Sequence, residues 1–271
     1  MLFAIGALIG LALGLTGAGG SVLAVPLLML LAGFSQAQAA GMSLAAVGLS
    51  AGLGVLLRLG RQQVAWWPAL VLAGVGVLFA PVGQWLARAL PERFVLISFA
   101  LLVLVVAMRL WLAARRNPEA AREVRADPGE GQEERAAAAC ALSETGYFEL
   151  RWPCISRLLW VGALTGLVSG LYGVGGGFVI VPALILLTGM TMRQAVATSL
   201  VIITLVSASG FVSFLVQTQL PVDTTLLLVG GACAGMTAGT GLARFIAGAR
   251  LQEMLAVALV VLMAITLYRV F

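Results

Sequence analysis

The chain has 271 residues, 61% of them hydrophobic and 10% charged, with a mean hydropathy of +1.07. Soluble domains carry about 25% charged residues, so this composition excludes a soluble globular protein and predicts an integral membrane protein. The net charge of +5 comes from arginines alone, with no lysine and no histidine; they lie in short connections and one polar stretch, which makes them a topology signal and not a nucleic-acid-binding stripe.

In chain order, apolar runs occupy about 1–15, 20–33, 37–57, 66–88 and 92–113, and then 158–172, 176–189, 194–216, 222–246 and 250–270. Crossing about 30 Å of hydrocarbon takes roughly 20 helical residues. The third, fourth and fifth runs of each set meet that length. The first two of each set are shorter and are split by glycine-rich phrases, GLTGAGGSVLAVP at 14–26 and GLYGVGGGFVIVP at 170–182. Nothing alternates as barrel strands must. The fold class expected is an all-α polytopic helical bundle of two five-segment repeats, 1–113 and 158–271. Between them, 114–157 is rich in Arg, Glu and Ala with Pro and Gly breaks, and reads as a polar linker without a core of its own.

The opening run lacks a positive n-region, and its pattern recurs at 160–177 in mid-chain. It is therefore read as part of the fold and not as a signal peptide. Cys140, Cys154 and Cys233 are odd in number and match no disulfide or zinc spacing. They are expected to be reduced, with Cys233 a small packing residue.

The two sets are copies of one another. At an offset of 156, Gly14, Gly17, Gly19, Gly20, Val25, Pro26, Gly33, Gln38 and Ser43 meet Gly170, Gly173, Gly175, Gly176, Val181, Pro182, Gly189, Gln194 and Ser199. Fifteen of the 31 positions from 14 to 44 are identical. Five crossings per half, or three crossings and a re-entrant hairpin, make the second half enter from the opposite side; a single broken helix at the phrase makes the halves parallel. With the linker inside, the inverted arrangement places Arg58, Arg61, Arg193, Arg244 and Arg250 inside and the arginine-free QTQLPVDTT loop outside. Arg88, Arg93 and Arg269 fall outside. The positive-inside rule favours inversion, with a cytoplasmic linker and both termini outside an inner (plasma) membrane.

Inverted repeats interrupted at matching positions point to a transporter's binding site. Broken backbone in a bilayer must face protein or a wet cavity. The helix that restarts offers unpaired N–H groups and about half a positive charge, both suited to an anion. The candidate substrate-binding residues are Gly17, Gly19, Gly20 and Ser21 in the first copy, Gly173, Gly175, Gly176 and Gly177 in the second, and the paired Ser43 and Ser199. Thr198, Gln38 and Gln194 either line the same cavity or hydrogen-bond between helices. Gly6, Gly10, Gly14 and Gly162, Gly166, Gly170 recur every four residues, the spacing of a helix-packing face. Pro26 and Pro182 fall within the restarted helices. Arg193 reads as an interfacial charge, and Tyr172, standing where the first copy has Thr16, makes the two half-sites unequal.

A membrane enzyme needs a base, a nucleophile or a metal cluster; with no histidine, no carboxylate pair deep in a span and no cysteine cluster, neither an enzyme nor a metal or other cofactor is expected. A fixed-pore anion channel shares the anion logic and stays open as an alternative.

The phrase GxGGG(F/S)xxVP, once per half, followed in the second copy by GMTMRQAVATSL at 189–200, resembles the TauE/SafE family of sulfite exporters. The resemblance implies a multi-pass inner-membrane permease for sulfite, an organosulfonate or another small anion, with the bilayer and the anion as partners, no nucleic acid, and the oligomeric state left open. The first copy departs from the pattern, with Ser21 where the second has Gly177 and GMSL where it has ATSL.

Overall fold

A computed structural model describes residues 1–17, 20–58, 64–116, 152–217, 221–246 and 249–270. Every element among them is an α-helix. The first half holds α1 (Leu2–Thr16), α2 (Ser21–Ala32), α3 (Gln36–Leu56), α4 (Trp66–Ala89) and α5 (Glu92–Arg116). The second holds α6 (Trp152–Tyr172), α7 (Gly177–Thr188), α8 (Met192–Gln217), α9 (Val222–Ile246) and α10 (Ala249–Val270).

Nine of these helices follow the apolar runs closely at both ends, and the exception is α6. It begins at Trp152, inside the stretch read as linker, and Cys154–Tyr172 is apolar and long enough to cross a membrane. Pro153 lies in its first turn, where the missing N–H costs nothing. The long helices α3, α4, α8 and α9 meet the same length and hydropathy requirement. Cys154 is disulfide-bonded, which corrects the expectation of reduced thiols; its partner lies outside the described residues. Cys233 is free, as expected.

The packing exchanges the halves. Helix α1 lies along α9 and α6 along α4; α4 lies along α8 and α9 along α3; α3 packs on α8 and α5 on α10. Swapping each helix for its copy in the other half maps this set of pairs onto itself. The glycine faces make the closest pairs. A Cβ on Gly6, Gly10 or Gly14 would strike the α9 backbone at Leu228, Ala232 and Met236, and one on Gly162, Gly166 or Gly170 the α4 backbone at Leu72, Gly76 and Ala80. The favour is returned by Gly231, Gly235 and Gly239, which lie against Phe3, Ala7 and Leu11. Without a hydrophobic driving force in lipid, close backbone approach of this kind is what holds helices together.

The residue pairing gives the directions. Along α1 and α9 the numbers rise together, as they do along α6 and α4. Along α3 and α8 they run opposite: Gly41 meets Phe214, Gly48 meets Ser207 and Gly52 meets Thr204. Along α4 and α8 they rise together again, from Ala65 N–H on Thr198 Oγ1 (3.0 Å) to Ser209 Oγ–H on Val77 O (2.8 Å). Helices α4, α6 and α8 therefore share one direction. A direct return from α8 into α9 sets α9, and with it α1 and α3, the other way. Because α1 and α3 point alike, α2 between them must double back, and so must α7 between α6 and α8. Each glycine phrase is thus the tip of a hairpin and not a break in one continuous helix. The α3–α8 crossing is the centre of the bundle; 72% of the spanning window of α3 is buried, against 33% for α9.

Candidate functional site

Each hairpin turns on left-handed glycine. Gly17 has φ 75° and closes α1 with its N–H on Leu13 O at 2.7 Å; Gly173 has φ 71° and closes α6 with its N–H on Ser169 O at 2.8 Å. A side chain in this region costs roughly 1–2 kcal/mol, which is why glycine stands there. The tips also touch matching places. A Cβ on Gly17 would strike Val196 of α8, and one on Gly173 would strike Ala40 of α3, positions 156 apart.

Beyond that first turn the copies diverge. In the second, Gly175 and Gly176 are also left-handed, at φ 65° and 66°, and Gly176 is the N-cap of α7 with no side chain capping the helix. In the first, Gly20 is right-handed, at φ −65°. The hydroxyl of Thr16 donates to Ala12 O (2.7 Å) and accepts from Gly20 N–H (3.2 Å), closing the tip with a side chain. Tyr172 cannot do this; its ring packs on Phe99 with centroids 5.2 Å apart. Gly19 lies outside the described residues.

Gly175 reaches the centre of the bundle. A Cβ there would lie 3.0 Å from Val47 Cγ1, 3.2 Å from Ser207 Oγ and 3.4 Å from Ile203 Cγ2. Val47 sits in the middle of α3. Ala40, Ser43 and Val47 are spaced three and four apart, one face of α3, and Gly173 and Gly175 cover its two ends. Ser43 lies between them, fully buried, and its Oγ has no hydrogen-bond partner; the same holds for Ser207. Ser43 thus lies on the stretch of α3 between the residues that Gly173 and Gly175 approach. Ser207 was not read as a site residue, nor were Gln84 and Ser169, which are buried and unpartnered as well.

The other candidates find different places. Ser199 is buried, and its Oγ–H donates to Val196 O of its own helix at 2.9 Å. Ser21 and Gly177 are buried at the starts of α2 and α7. Gln38 and Gln194 cap helices and line no cavity: Ser35 N–H and Thr191 N–H donate to their Oε1 atoms at 3.4 and 3.2 Å, and the glutamine N–H groups return to the Ser35 and Thr191 hydroxyls. The spacing S/T-x-x-Q is that of a capping box. Thr198 spends its hydroxyl on the start of α4. Pro26 and Pro182 lie inside α2 and α7, and Arg193 is exposed near the start of α8. No group of three or more His, Cys, Asp or Glu able to hold a metal ion occurs among the described residues. A groove of about 390 Å³ beside Leu86, Leu101, Val105 and Tyr172 is almost wholly apolar, a surface suited to lipid chains and not to an anion.

A family model described as "Sulfite exporter TauE/SafE" matches residues 2–267. The chain belongs to the TauE/SafE family. Sulfite export is the function that names this family, and its members are membrane transporters. A Xylella fastidiosa protein named "Probable membrane transporter protein" is 33% identical over 196 residues, 72% of this chain and 66% of that protein. "Probable membrane transporter protein YunE" of Bacillus subtilis is 38% identical over 84 residues, 31% of each chain. "Probable membrane transporter protein MJ0441" of Methanocaldococcus jannaschii is 44% identical over 54 residues, 20% of each chain. No solved structure matches. Membership places the chain in a family of membrane transporters, in keeping with the five helices among the described residues that are long and apolar enough to span a membrane.

Proposed function

We propose that the chain exports a small oxoanion, sulfite or an organosulfonate, by binding it at the glycine tips of two re-entrant hairpins that enter the bilayer from opposite sides. The observation that carries this reading is the antiparallel run of α3 against its own copy α8. A twofold relation that reverses a spanning helix has its axis in the membrane plane, which supports inverted repeats. Two inverted hairpins bring helix N-termini toward one level, near the middle of α3, where Gly175 lies. Gly17, Gly19, Gly20 and Ser21 form one half-site, and Gly173, Gly175, Gly176 and Gly177 the other, with Ser43 and Ser199 beside them.

The arginines put the linker in the cytoplasm and the termini outside an inner membrane. The disulfide at Cys154 is a bond typical of oxidising compartments and counts the other way. The arginine bias rests on many residues and the disulfide on one, so the cytoplasmic linker is adopted. A protease site placed in the linker is then cut only in permeabilised cells; cutting in intact cells reverses the orientation.

Export needs no coupling ion. A dianion leaving against ~100 mV, negative inside, gains about 4.6 kcal/mol at roughly 2.3 kcal/mol per charge, about three decades of concentration ratio. Alternating access predicts that unlabelled sulfite on the far side speeds labelled sulfite across proteoliposome membranes. A linear, unsaturable flux without that acceleration makes the protein a channel.

A further inference from the structure

Four buried polar side chains lack hydrogen-bond partners around the second hairpin: Ser43, Gln84, Ser169 and Ser207, each no more than 3% exposed. An unpaired buried hydroxyl or amide costs roughly 1–3 kcal/mol, and the two that border the α3–α8 crossing beside Gly175, Ser43 and Ser207, call for an occupant. Their copies at the 156 offset carry no such debt. Ser207 corresponds to Ala51 and Ser169 to Leu13, both apolar. Gln84 corresponds to Thr240, whose hydroxyl donates to Met236 O, and Ser43 to Ser199, whose hydroxyl donates to Val196 O. Neither α2 nor α7 carries a side-chain cap, but the tip before α2 is tied by the Thr16 hydroxyl on Gly20 N–H, a bond that Tyr172 does not make before α7.

From this asymmetry we infer that the protein holds one oxoanion at a time, at the second hairpin, with the hydroxyls of Ser43 and Ser207 and the uncapped start of α7 as its ligands. The first hairpin is a structural counterpart that binds nothing. The inference rests on the oxoanion reading above and narrows it: of the two half-sites proposed there, only the second supplies ligands. Ser207 is the central ligand: its Oγ is 3.2 Å from where a Gly175 Cβ would be, two residues before α7 begins. Ser43 faces the same phrase from α3. Gln84 and Ser169 lie on the far side of Gly173: Ser169 O accepts the Gly173 N–H, and a Cβ on Gly170 would meet the Gln84 backbone. The ligands are neutral donors with no cation among them. This suits a small anion that must be released again on the other side, since a buried ion pair would hold it.

The test uses the full chain in detergent with sulfite as the probe. Calorimetric titration should give one sulfite per chain. Ser43→Ala and Ser207→Ala should each weaken binding roughly tenfold or more, the worth of a hydrogen bond to a charged group. Thr240→Ala should leave it within twofold. Two sites per chain, or full affinity in both serine variants, overturns the inference and leaves the transport reading standing. If the wild-type chain binds no sulfite, the substrate reading fails, and a ligand-free measurement decides the rest. Removing a hydroxyl held for a ligand keeps or raises the unfolding temperature of empty protein. A fall in both variants means that these hydroxyls serve the fold, and the inference is lost.

Discussion

Gly175→Ala isolates what the second hairpin tip demands. At φ 65° the new side chain carries a left-handed penalty of roughly 1–2 kcal/mol. Its methyl also meets Val47 at 3.0 Å, Ser207 at 3.2 Å and Ile203 at 3.4 Å, closer than packed carbon atoms sit. Overfilling a packed site costs roughly 1–3 kcal/mol more, for a total of about 2–5 kcal/mol. Gly33 supplies the control: its φ is 70°, and a Cβ there meets nothing within 4 Å. Gly33→Ala therefore carries the conformational part alone, about 1–2 kcal/mol. Gly74, in mid-helix with open space around its Cβ position, should gain up to about 1 kcal/mol from alanine. Heat-induced unfolding of the three purified variants ranks them, with Gly74→Ala at or above wild type, Gly33→Ala below it and Gly175→Ala lowest. Equal loss at Gly33 and Gly175 would refute the claim that the second tip is packed against α3 and α8.

The remaining predictions concern the frame around the site. Gly10→Ala and Gly170→Ala push a methyl into the carbonyls of Ala232 and Ala80, and each should lower stability by about 3 kcal/mol; wild-type melting in either would break the α1–α9 or α6–α4 contact. Thr16→Val removes the hydroxyl that accepts the Gly20 N–H and should cost about 1 kcal/mol, read by the same melting assay, with transport affinity for sulfite held within twofold. Cys233→Ala should transport sulfite at the wild-type rate, and a dead variant would bring thiol chemistry into the mechanism. The disulfide at Cys154 predicts that reduction changes electrophoretic mobility; a chain that takes up maleimide at Cys154 without reductant has no such bond.

Most of the frame was legible because lipid leaves few solutions. Runs of roughly 20 apolar residues can only be helices, and glycine every fourth residue can only be a packing face. The repeat was legible as well, since Gly33/Gly189 and Gln38/Gln194 hold register where leucines alone would not. What the glycines do was less so. Gly20 and Gly176 are the same residue at matching positions, yet one is right-handed and the other left-handed. The difference goes with the position four residues earlier, where the Thr16 hydroxyl accepts the Gly20 N–H and Tyr172 packs on Phe99 instead. Gln38 and Gln194 do neither of the two things expected of them, lining a cavity or bonding between helices; they cap their own helices, as the S/T-x-x-Q spacing signals. Ser207, Gln84 and Ser169 were missed because a lone hydroxyl or amide in an apolar run usually bonds to its own helix, as Ser199 does. For two of them the repeat itself is the signal: Ala51 and Leu13 stand where Ser207 and Ser169 are polar.

The most direct test of the central claim is sulfite efflux from proteoliposomes under an imposed potential, wild type beside Gly175→Leu. A bulky side chain at Gly175 meets Val47, Ser207 and Ile203 together and fills the tip of the second hairpin. Potential-driven efflux in the wild type, lost in a Gly175→Leu protein that still inserts, is the result expected. Equal efflux from both proteins would move the binding site away from the glycine tips and contradict the account.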